Sequence, residues 1–295
     1  MSGPERLAAA AVDGQLWLLG GCLVASALVE AWRPERARLL PRGWRWITNL
    51  GLHLLNDWLF RVIVPYSLIL WLLAAIGKPH VGALNHIGAW GGPWALLAAS
   101  FLLLDLITYL IHRLEHAVFP LWRLHAVHHA DIDVDATTAV RHHPFETILN
   151  GITLVLLMLV LDMPLSAFPV YAVAALAVQL AQHANVRLPA RLEAALGLLL
   201  MTPGLHRTHH SSAPEHYNSN FGTVLSVWDR CFFTLAPPLP EQNPPSFGVA
   251  PFQAKRYARP HWALLLPFVM GTPRKVAHEA QAATPRVPDQ PVRPR

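Results

Sequence analysis

The sequence has few charged residues and little cysteine. Aspartate, glutamate, lysine and arginine make up 14% of its 295 residues, whereas a soluble globular domain carries about 25%. Its two cysteines, Cys22 and Cys231, do not form the spaced pairs typical of zinc fingers or of a disulfide framework. The sequence also contains no glycine-rich nucleotide loop, no flavin or nicotinamide motif and no fused haem domain. These absences argue against a soluble enzyme that carries its own redox cofactor.

Hydrophobic residues account for 53% of the chain. A helix needs roughly 20 apolar residues to cross the hydrocarbon core of a bilayer, and five stretches approach that length. They are residues 14–32, 46–76, 88–112, 147–162 and 164–184. We therefore predict an all-α integral membrane protein, a bundle of four to five transmembrane or re-entrant helices with a histidine-rich helical cap on the cytoplasmic side.

The net charge of +5 does not indicate nucleic-acid binding, because the positive residues lie at the ends of apolar runs and form no stripe with interleaved aromatics. Five arginines, from Arg33 to Arg45, follow the first apolar run. Because cytoplasmic segments are enriched in arginine and lysine, we expect the N-terminus outside. Alternating crossings then place the histidine-rich segments at the cytoplasmic face of a multi-pass protein.

Composition divides the chain into four parts. We assign residues 1–99 to an N-terminal transmembrane region and residues 100–235 to a histidine-rich domain. Residues 236–271 are proline-rich and end in an apolar piece that is too short to span a bilayer, so we expect it at the interface. Residues 272–295 contain many prolines and few apolar side chains, which predicts a disordered tail.

One histidine pattern occurs twice, as HAVHH at 125–129 and as HRTHH at 206–210. On a helix, positions i, i+3 and i+4 share one face, so we expect the three histidines of each triplet to converge on one point. The two triplets are His125, His128 and His129, and His206, His209 and His210. Imidazole is the commonest metal ligand in proteins. Solvated interfacial histidines would not explain the same spacing twice, so the pattern predicts a metal site.

The segment DLITYLIHRLEH extends this prediction into an apolar stretch. Its residues Asp105, Tyr109, His112 and His116 follow one another at steps of four, three and four, which keeps them on one helical face. His112 and His116 then lie one turn apart at the membrane exit as further ligands. A carboxylate deeper in lipid is costly unless it faces the bundle interior, where Asp105 could orient a ligand imidazole.

Two other functions fit parts of this pattern. HRLEH matches the H-x-x-E-H motif of inverted zinc peptidases, in which Glu115 would be the general base. Such a site needs three protein ligands and an open position, which would leave both triplets without a role. A non-catalytic metal transporter needs polar residues through its spans, and beyond Asp105 and the group Asn56, Asp57 and Arg61 the sequence has few.

Two further segments supply candidate site residues. In RHHPFE, Glu146 begins an apolar helix, His143 is either a ligand or a capping residue, and His142 is expected to be solvated. In QHANVRLP, we expect His183 to be a ligand where the last long apolar stretch ends, with Asn185 beside it in a supporting role.

Together, five segments resemble the successive motifs of the fatty acid hydroxylase and sterol desaturase superfamily, in the same order, from about residue 100 to residue 234. They are DLITYLIHRLEH, WRLHAVHH, TTAVRHHPFE, QHANVRLP and HRTHHSSAPEHYNSNFGTVLSVWDRCFFT. The family consists of integral membrane, nonhaem di-iron oxygenases that hydroxylate or desaturate lipids with dioxygen and electrons from a separate donor. The resemblance implies two iron ions, a lipid substrate, an external electron-donor protein and a catalytic domain over residues 100–235. Zinc binds imidazole equally well.

Carried across residue by residue, the resemblance implies a set of histidine ligands. The set is His112, His116, His125, His128, His129, His183, His206, His209 and His210, with His143 as a further candidate. Supporting residues around the metals would be Asp105, Tyr109, Glu146, Asn185, Asn220 and Asp229, with Trp228 in the same closing motif. Members of the family commonly have a glycine after the phenylalanine that follows WDR. This chain departs from that pattern, because Cys231, Phe232 and Phe233 follow WDR here.

The resemblance admits fatty acyl, sterol, alkylglycerol and carotenoid substrates, and both hydroxylation and desaturation. Tryptophans near the ends of the apolar stretches are interpreted as an interfacial anchoring belt. They are Trp44, Trp46, Trp90, Trp94 and Trp122.

Overall fold

The computed structural model describes residues 1–64, 82–240, 246–249 and 252–271. This part of the chain is helical, as predicted, and carries only two isolated β-bridges, Leu200 with Leu225 and Ser211 with Phe247. In chain order the α-helices are α1 Gly3–Trp32, α2 Arg42–Ile63, α3 Gly82–Ala117, α4 Phe119–His129, α5 Pro144–Val160, α6 Ala167–His183, α7 Ala190–Leu196, α8 Pro203–His209, α9 Pro214–Tyr217, α10 Val227–Cys231 and α11 Pro260–Val269. Two 3-10 helices cover Ala136–Val140 and Lys255–Ala258.

Two helices in the described part are long and apolar enough to cross a membrane. They are α1 and the Ile87–Ala117 portion of α3. The predicted stretches 147–162 and 164–184 form α5 and α6, which have 17 residues each and are shorter than a full span. The stretch 46–76 is helical up to Ile63, and residues 65–76 lie outside the described ranges. The number of four to five crossings and the cytoplasmic cap therefore stay predictions.

Helix α3 is interrupted where its sequence reads Gly92-Pro93. Gly92 has φ 73°, a left-handed conformation that glycine adopts without steric cost. Pro93 lacks the amide hydrogen that would continue the helical ladder. The kink separates the first turns of α3 from the long segment that ends with His112 and His116.

Helix α2 buries polar side chains and exposes apolar ones, which is the reverse of an amphipathic helix in a soluble protein. Arg45, Asn49 and Asn56 are buried, whereas Leu54 and Trp58 are 68% and 59% exposed. In a soluble protein the apolar stripe of such a helix faces the core. Its polar face instead packs against the histidine-bearing part of the chain, and Leu54 and Trp58 face outward beside the exposed Asp57–Arg61 ion pair.

A buried ionic network links α2 to the segment between α4 and α5. The guanidinium of Arg45 donates two hydrogen bonds to Asp131, at 2.8 and 2.9 Å, and one to Asp135 at 2.9 Å. Burial opposes ionisation of Asp131, but the adjacent charge and hydrogen bonds of Arg45 outweigh it and hold the pKa of Asp131 well below its ordinary value. Arg141 closes the segment by donating to the carbonyl oxygens of Val127 and Tyr257.

The long apolar helices are attached to the rest of the fold through buried carboxylates. Glu30, in the last turns of α1, accepts hydrogen bonds from the backbone amides of Ala136 and Asn185, at 3.2 and 3.1 Å. Asp105, inside α3, accepts bonds from the amides of Val224 and Leu225 at 3.0 and 3.1 Å. Two membrane-type helices are thereby fixed to loops that precede or follow histidine-bearing segments.

The Arg45 network leads to a stability prediction. Replacing Arg45 by Met leaves two buried carboxylates without their counter-charge, and breaking a buried pair costs roughly 3–5 kcal/mol. We expect a large drop in the apparent melting temperature of the protein in detergent, followed by circular dichroism. The matched control is Arg61→Met, because the Arg61–Asp57 pair is exposed and worth about 0.5 kcal/mol or less. Equal melting temperatures for the two variants would show that the network does not stabilise the fold.

Candidate metal centre

Nine histidines from four helices, counting His210 at the C-terminal end of α8, form two adjoining groups. The first histidine group is His112, His116, His125, His129 and His209. The second histidine group is His128, His183, His206 and His210. Within each group the candidate ligand nitrogens all lie within 4.8 Å of one another. The groups touch, since the rings of His129 and His210 stack with centroids 4.6 Å apart.

Each HxxHH triplet divides between the two groups, so the expectation that a triplet converges on one point is wrong. His125 and His129 enter the first group and His128 the second. In the other triplet, His209 enters the first group, and His206 and His210 enter the second. Residues i and i+4 point about 40° apart around a helix, whereas i+3 and i+4 diverge by about 100°. One triplet therefore supplies two nitrogens to one group and one to the other.

In the first group, the outer ring nitrogens of three histidines are held by oxygen acceptors. The Nδ1 atoms of His112, His125 and His209 lie 2.8, 2.8 and 2.7 Å from the Phe221 carbonyl, a Glu146 carboxylate oxygen and the Ser219 carbonyl. A carbonyl or carboxylate can only accept, so Nδ1 carries the hydrogen and Nε2 has a free lone pair. The Nε2 atoms of His112 and His125 face each other at 3.1 Å. Two lone pairs at this distance repel unless a cation lies beside them.

The second group has the same electrostatic character. The Nδ1 atom of His183 donates to the Gln179 carbonyl at 2.7 Å, which leaves its Nε2 as an acceptor. Three further Nε2 atoms surround that nitrogen, from His206 at 2.9 Å, His210 at 3.0 Å and His128 at 3.2 Å. One lone pair cannot accept three hydrogen bonds with good geometry, whereas four imidazoles around one divalent cation is an ordinary coordination set.

Several buried imidazole nitrogens have no hydrogen-bond partner among the described residues. They include Nε2 of His129 and of His209 and both ring nitrogens of His116. Buried polar atoms are nearly always satisfied, and an orphan calls for an explanation such as an ion. The residues therefore fit a pair of metal ions, one for each histidine group.

Burial also sets the protonation state of these histidines. It lowers the pKa of His209 to about 3. Burial, followed by the neighbouring imidazoles, takes the pKa of His128, His206 and His210 well below the ordinary value. A metal ligand must be a neutral imidazole, so these four histidines are already in their binding form at neutral pH.

The NSNFG loop presents the two carbonyls that hold His112 and His209. Asn220 is in the left-handed region at φ 55°, and its side chain bonds the backbone of Leu205 and Ala236. Asp229 accepts hydrogen bonds from the amides of Phe221 and Gly222 at 2.8 and 2.9 Å. A Cβ at Gly222 would lie 2.5 Å from a backbone oxygen, so this turn requires glycine. Asn220 and Asp229 thus position ligands through the loop without contacting a histidine ring.

Glu146 is the carboxylate that touches a ligand directly. One of its oxygens accepts hydrogen bonds from Nδ1 of both His125 and His142. His142 is not solvated as expected, because its ring stacks on His128 with centroids 4.6 Å apart. Glu115 is also buried, and its carboxylate lies 3.4 Å from Nδ1 of His125. No supporting role was predicted for this residue. Its position beside His116 in HRLEH was the only signal for it.

The structure places His143 away from both groups. Its Nδ1 accepts a hydrogen bond from the Phe145 amide, and its Nε2 lies 3.2 Å from the Leu264 carbonyl. His143 therefore caps α5 and joins it to α11, which is the capping alternative of the sequence analysis. Asn185 binds the backbone of Arg36 rather than a histidine.

Asp105 and Tyr109 act on the closing motif rather than on a ligand ring. Asp105 accepts a hydrogen bond from the Trp228 indole at 2.9 Å, in addition to its backbone bonds. Tyr109 bonds Thr234 and stacks on Phe232 with ring centroids 5.3 Å apart. Both residues therefore hold the segment that carries the NSNFG loop against α3.

The tryptophans do not form one belt. Trp44, Trp90 and Trp94 are exposed, as an anchoring belt requires. Trp46 is half-buried and donates to Asp135. Trp122 is buried, with its ring 4.8 Å from that of His116, so it is part of the wall of the first histidine group.

The fold and the site define a helical membrane-type protein with two histidine groups that could hold metal. The model of the fatty acid hydroxylase family matches residues 97–234, and this chain therefore carries a fatty acid hydroxylase domain. The matched range contains all nine clustered histidines and the NSNFG loop.

Known proteins share this region. The chain is 27% identical to an ornithine lipid hydroxylase of Rhizobium tropici over 188 residues, which is 63% of this chain and 55% of that protein. It is 32% identical to an alkylglycerol monooxygenase of Danio rerio over 148 residues, 50% of this chain and 32% of that protein. An alkylglycerol monooxygenase of Caenorhabditis elegans is 28% identical over 160 residues, 54% of this chain and 30% of that protein. No solved structure matches the chain.

The different placements of His209 and His143 can be tested with cobalt. We expect His209→Ala to weaken binding of Co²⁺ strongly, because it removes the Nε2 atom of His209 from the first histidine group. His143→Ala should leave Co²⁺ stoichiometry and the visible d–d spectrum unchanged, because that ring binds backbone atoms. Both are measured by titrating metal-free protein in detergent. A loss of bound metal in His143→Ala comparable to that in His209→Ala would contradict the assignment.

Proposed function

We propose that this protein is a membrane-bound lipid monooxygenase whose two histidine groups each hold one iron ion. The observation that carries the proposal is the convergence of nine imidazoles, four of which turn the lone pair of Nε2 inward, in a domain of the fatty acid hydroxylase family. The relatives are named a lipid hydroxylase and alkylglycerol monooxygenases, which favours hydroxylation over desaturation.

Imidazole alone does not select iron over zinc. The names of the relatives favour a redox-active ion such as iron over zinc, because a monooxygenase reduces dioxygen and Zn²⁺ has no redox chemistry. Bound iron would supply the redox chemistry that replaces an unactivated C–H bond by C–OH. The overall reaction converts a lipid, dioxygen, two electrons and two protons into a hydroxylated lipid and water. Those electrons would come from a separate donor protein, as the family resemblance implies.

The chain's own residues would contribute orientation and exclusion of water. Backbone carbonyls of Ser219 and Phe221 and the carboxylate of Glu146 fix three imidazoles in one tautomer, which strengthens them as ligands. The second histidine group is fully buried, whereas His112 and His116 of the first group are only half-buried. We infer that substrate reaches the centre from the first group.

The position of the first group along α3 supports a lipid substrate. The last two turns of α3 carry His112 and His116 inward while Leu110, Leu114 and Val118 stay 39%, 52% and 40% exposed. A metal centre at this level would lie beside lipid, so a carbon atom of a bilayer lipid can approach it without leaving the membrane. The charge bias of the sequence supports a cytoplasmic position for the centre.

The zinc peptidase alternative is not favoured. It needs Glu115 free to act as a base on a water held by His112 and His116. Instead the Glu115 carboxylate accepts a hydrogen bond from Asn150 at 2.8 Å and lies on the Nδ1 side of His125, away from the lone pair that faces the group. A peptidase site on His112 and His116 would also leave the other seven clustered histidines unexplained.

The test combines lipid mass spectrometry with metal analysis. Cells or membranes containing the protein should form lipids heavier by one oxygen atom, with the label of ¹⁸O₂ incorporated, and the purified protein should bind two iron ions. His125→Ala and His209→Ala should abolish the product, because each removes a ligand with a fixed tautomer. His143→Ala serves as the matched control and should retain it. An intact oxygen-labelled product in both ligand variants would refute the proposed centre.

A further inference from the structure

Several arginines lie in or next to the segments that pack beside α8, the helix that carries His206 and His209. We call this the arginine surface, and it consists of Arg33, Arg36, Arg38, Arg187, Arg191 and Arg207. The loop between α1 and α2 and the residues after α6 are joined here by two hydrogen bonds between Asn185 and the backbone of Arg36, at 2.9 and 3.1 Å. Glu35 adds ion pairs to Arg187 and Arg207, at 2.7 and 2.9 Å. Segments far apart in sequence therefore form one continuous surface.

Positive charge is in excess on the arginine surface. Of the carboxylates that reach it, Glu35 is held by two arginines, and Glu193 accepts hydrogen bonds from Thr202 and from the amide of Gly204. Asp133, beside Arg36 and Arg38, already accepts hydrogen bonds from the amides of Leu39 and Leu40. Six arginines thus face three carboxylates that are already engaged. Arg33, Arg38 and Arg191 are exposed. A surface of this kind attracts a negatively charged partner and steers its approach.

A cavity of about 150 Å³ opens in the arginine surface, and its floor is α8. Gly204, Arg207 and Thr208 line it from that helix. Arg207 follows His206 directly in the chain, and its guanidinium donates to the Val186 carbonyl, three residues after His183. The cavity therefore lies against the outer side of the second histidine group, one helix width from its imidazoles.

The two histidine groups differ in what can reach them. The first group is half-buried on the side from which we propose that lipid enters, and all four histidines of the second group are buried behind α8. If the proposed monooxygenase function holds, each turnover needs two electrons from another protein. The arginine surface is where the helix of the second group meets the exterior, so a donor bound there has a short path that substrate does not obstruct.

We propose that the arginine surface is the docking site of an acidic electron-transfer protein, whose electrons enter through the second histidine group. This inference rests on the proposed function for its purpose, but docking itself can be measured without it. Charge complementarity gives such complexes their specificity and association rate, and both fall as salt is added. Anionic lipid headgroups are the competing ligand for exposed arginines, and the experiment separates them.

The experiment compares two charge reversals of equal size in full-length protein in lipid nanodiscs. The test variant is Arg33→Glu with Arg191→Glu, and the control is Lys255→Glu with Arg256→Glu, on the exposed 3-10 helix before α11. The probe is a reduced plant-type [2Fe–2S] ferredoxin, which is acidic. We expect the test variant to raise the KM for ferredoxin about tenfold or more, with a flatter salt dependence, and the control to change neither.

Two measurements do not depend on turnover with electrons from docked ferredoxin. Product formed in one turnover, after anaerobic reduction with dithionite and admission of air, should be the same in both variants and in the unmodified protein. Binding of ferredoxin to zinc-loaded protein, followed by interferometry, should weaken only in the test variant. If the unmodified protein forms no product in the single-turnover assay, the proposed function fails, and the binding measurement still decides on docking.

Two results would overturn the docking site. One is a KM and a binding curve for ferredoxin that are unchanged by the test reversal. The other is an effect that appears in discs containing phosphatidylglycerol and is absent in discs of phosphatidylcholine alone, because the arginines would then be binding lipid headgroups.

Discussion

Unprotonated imidazole nitrogens that face one another in a buried space are the constraint on which this structure depends. Each of His112, His125, His183 and His209 donates its Nδ1 hydrogen outward to an oxygen, so the opposite nitrogen must bring its lone pair inward. Without cations such an arrangement is repulsive, and with them it is a pair of coordination sites. The oxygens that fix these tautomers are therefore as much a part of the centre as the rings.

The rest of the fold can be understood as support for those oxygens. Asp229 and Asn220 shape the loop that offers two carbonyls, and Asp105 attaches the following segment to α3. On the other side, the Arg45 network orders the buried connection from α4 to Glu146. Buried charges are costly when unpaired. Their pairing here connects apolar helices to the loops around the histidine groups.

Sequence reasoning found the helical class and the histidines that cluster, because spacing along a helix is a local property. It misassigned the convergence of each triplet, since sharing a helical face does not make i+3 and i+4 meet at one point. His142 was expected in solvent and lies against His128, and Trp122 was expected at the interface and lies against His116. The positions of His142 and Trp122 come from packing between separate helices and loops, which no pattern along a single helix encodes.

The apolar helices, the residues capable of binding metal and the family motifs that contain them could be read from the sequence, because hydropathy, helical spacing and residue chemistry act over a few neighbours. The way in which four helices share nine imidazoles between two groups, the ring nitrogen that faces inward, and the capping role of His143 became visible only in the folded chain. Those choices depend on which oxygen from another segment lies within hydrogen-bond distance of each ring. That is a property of packing in three dimensions.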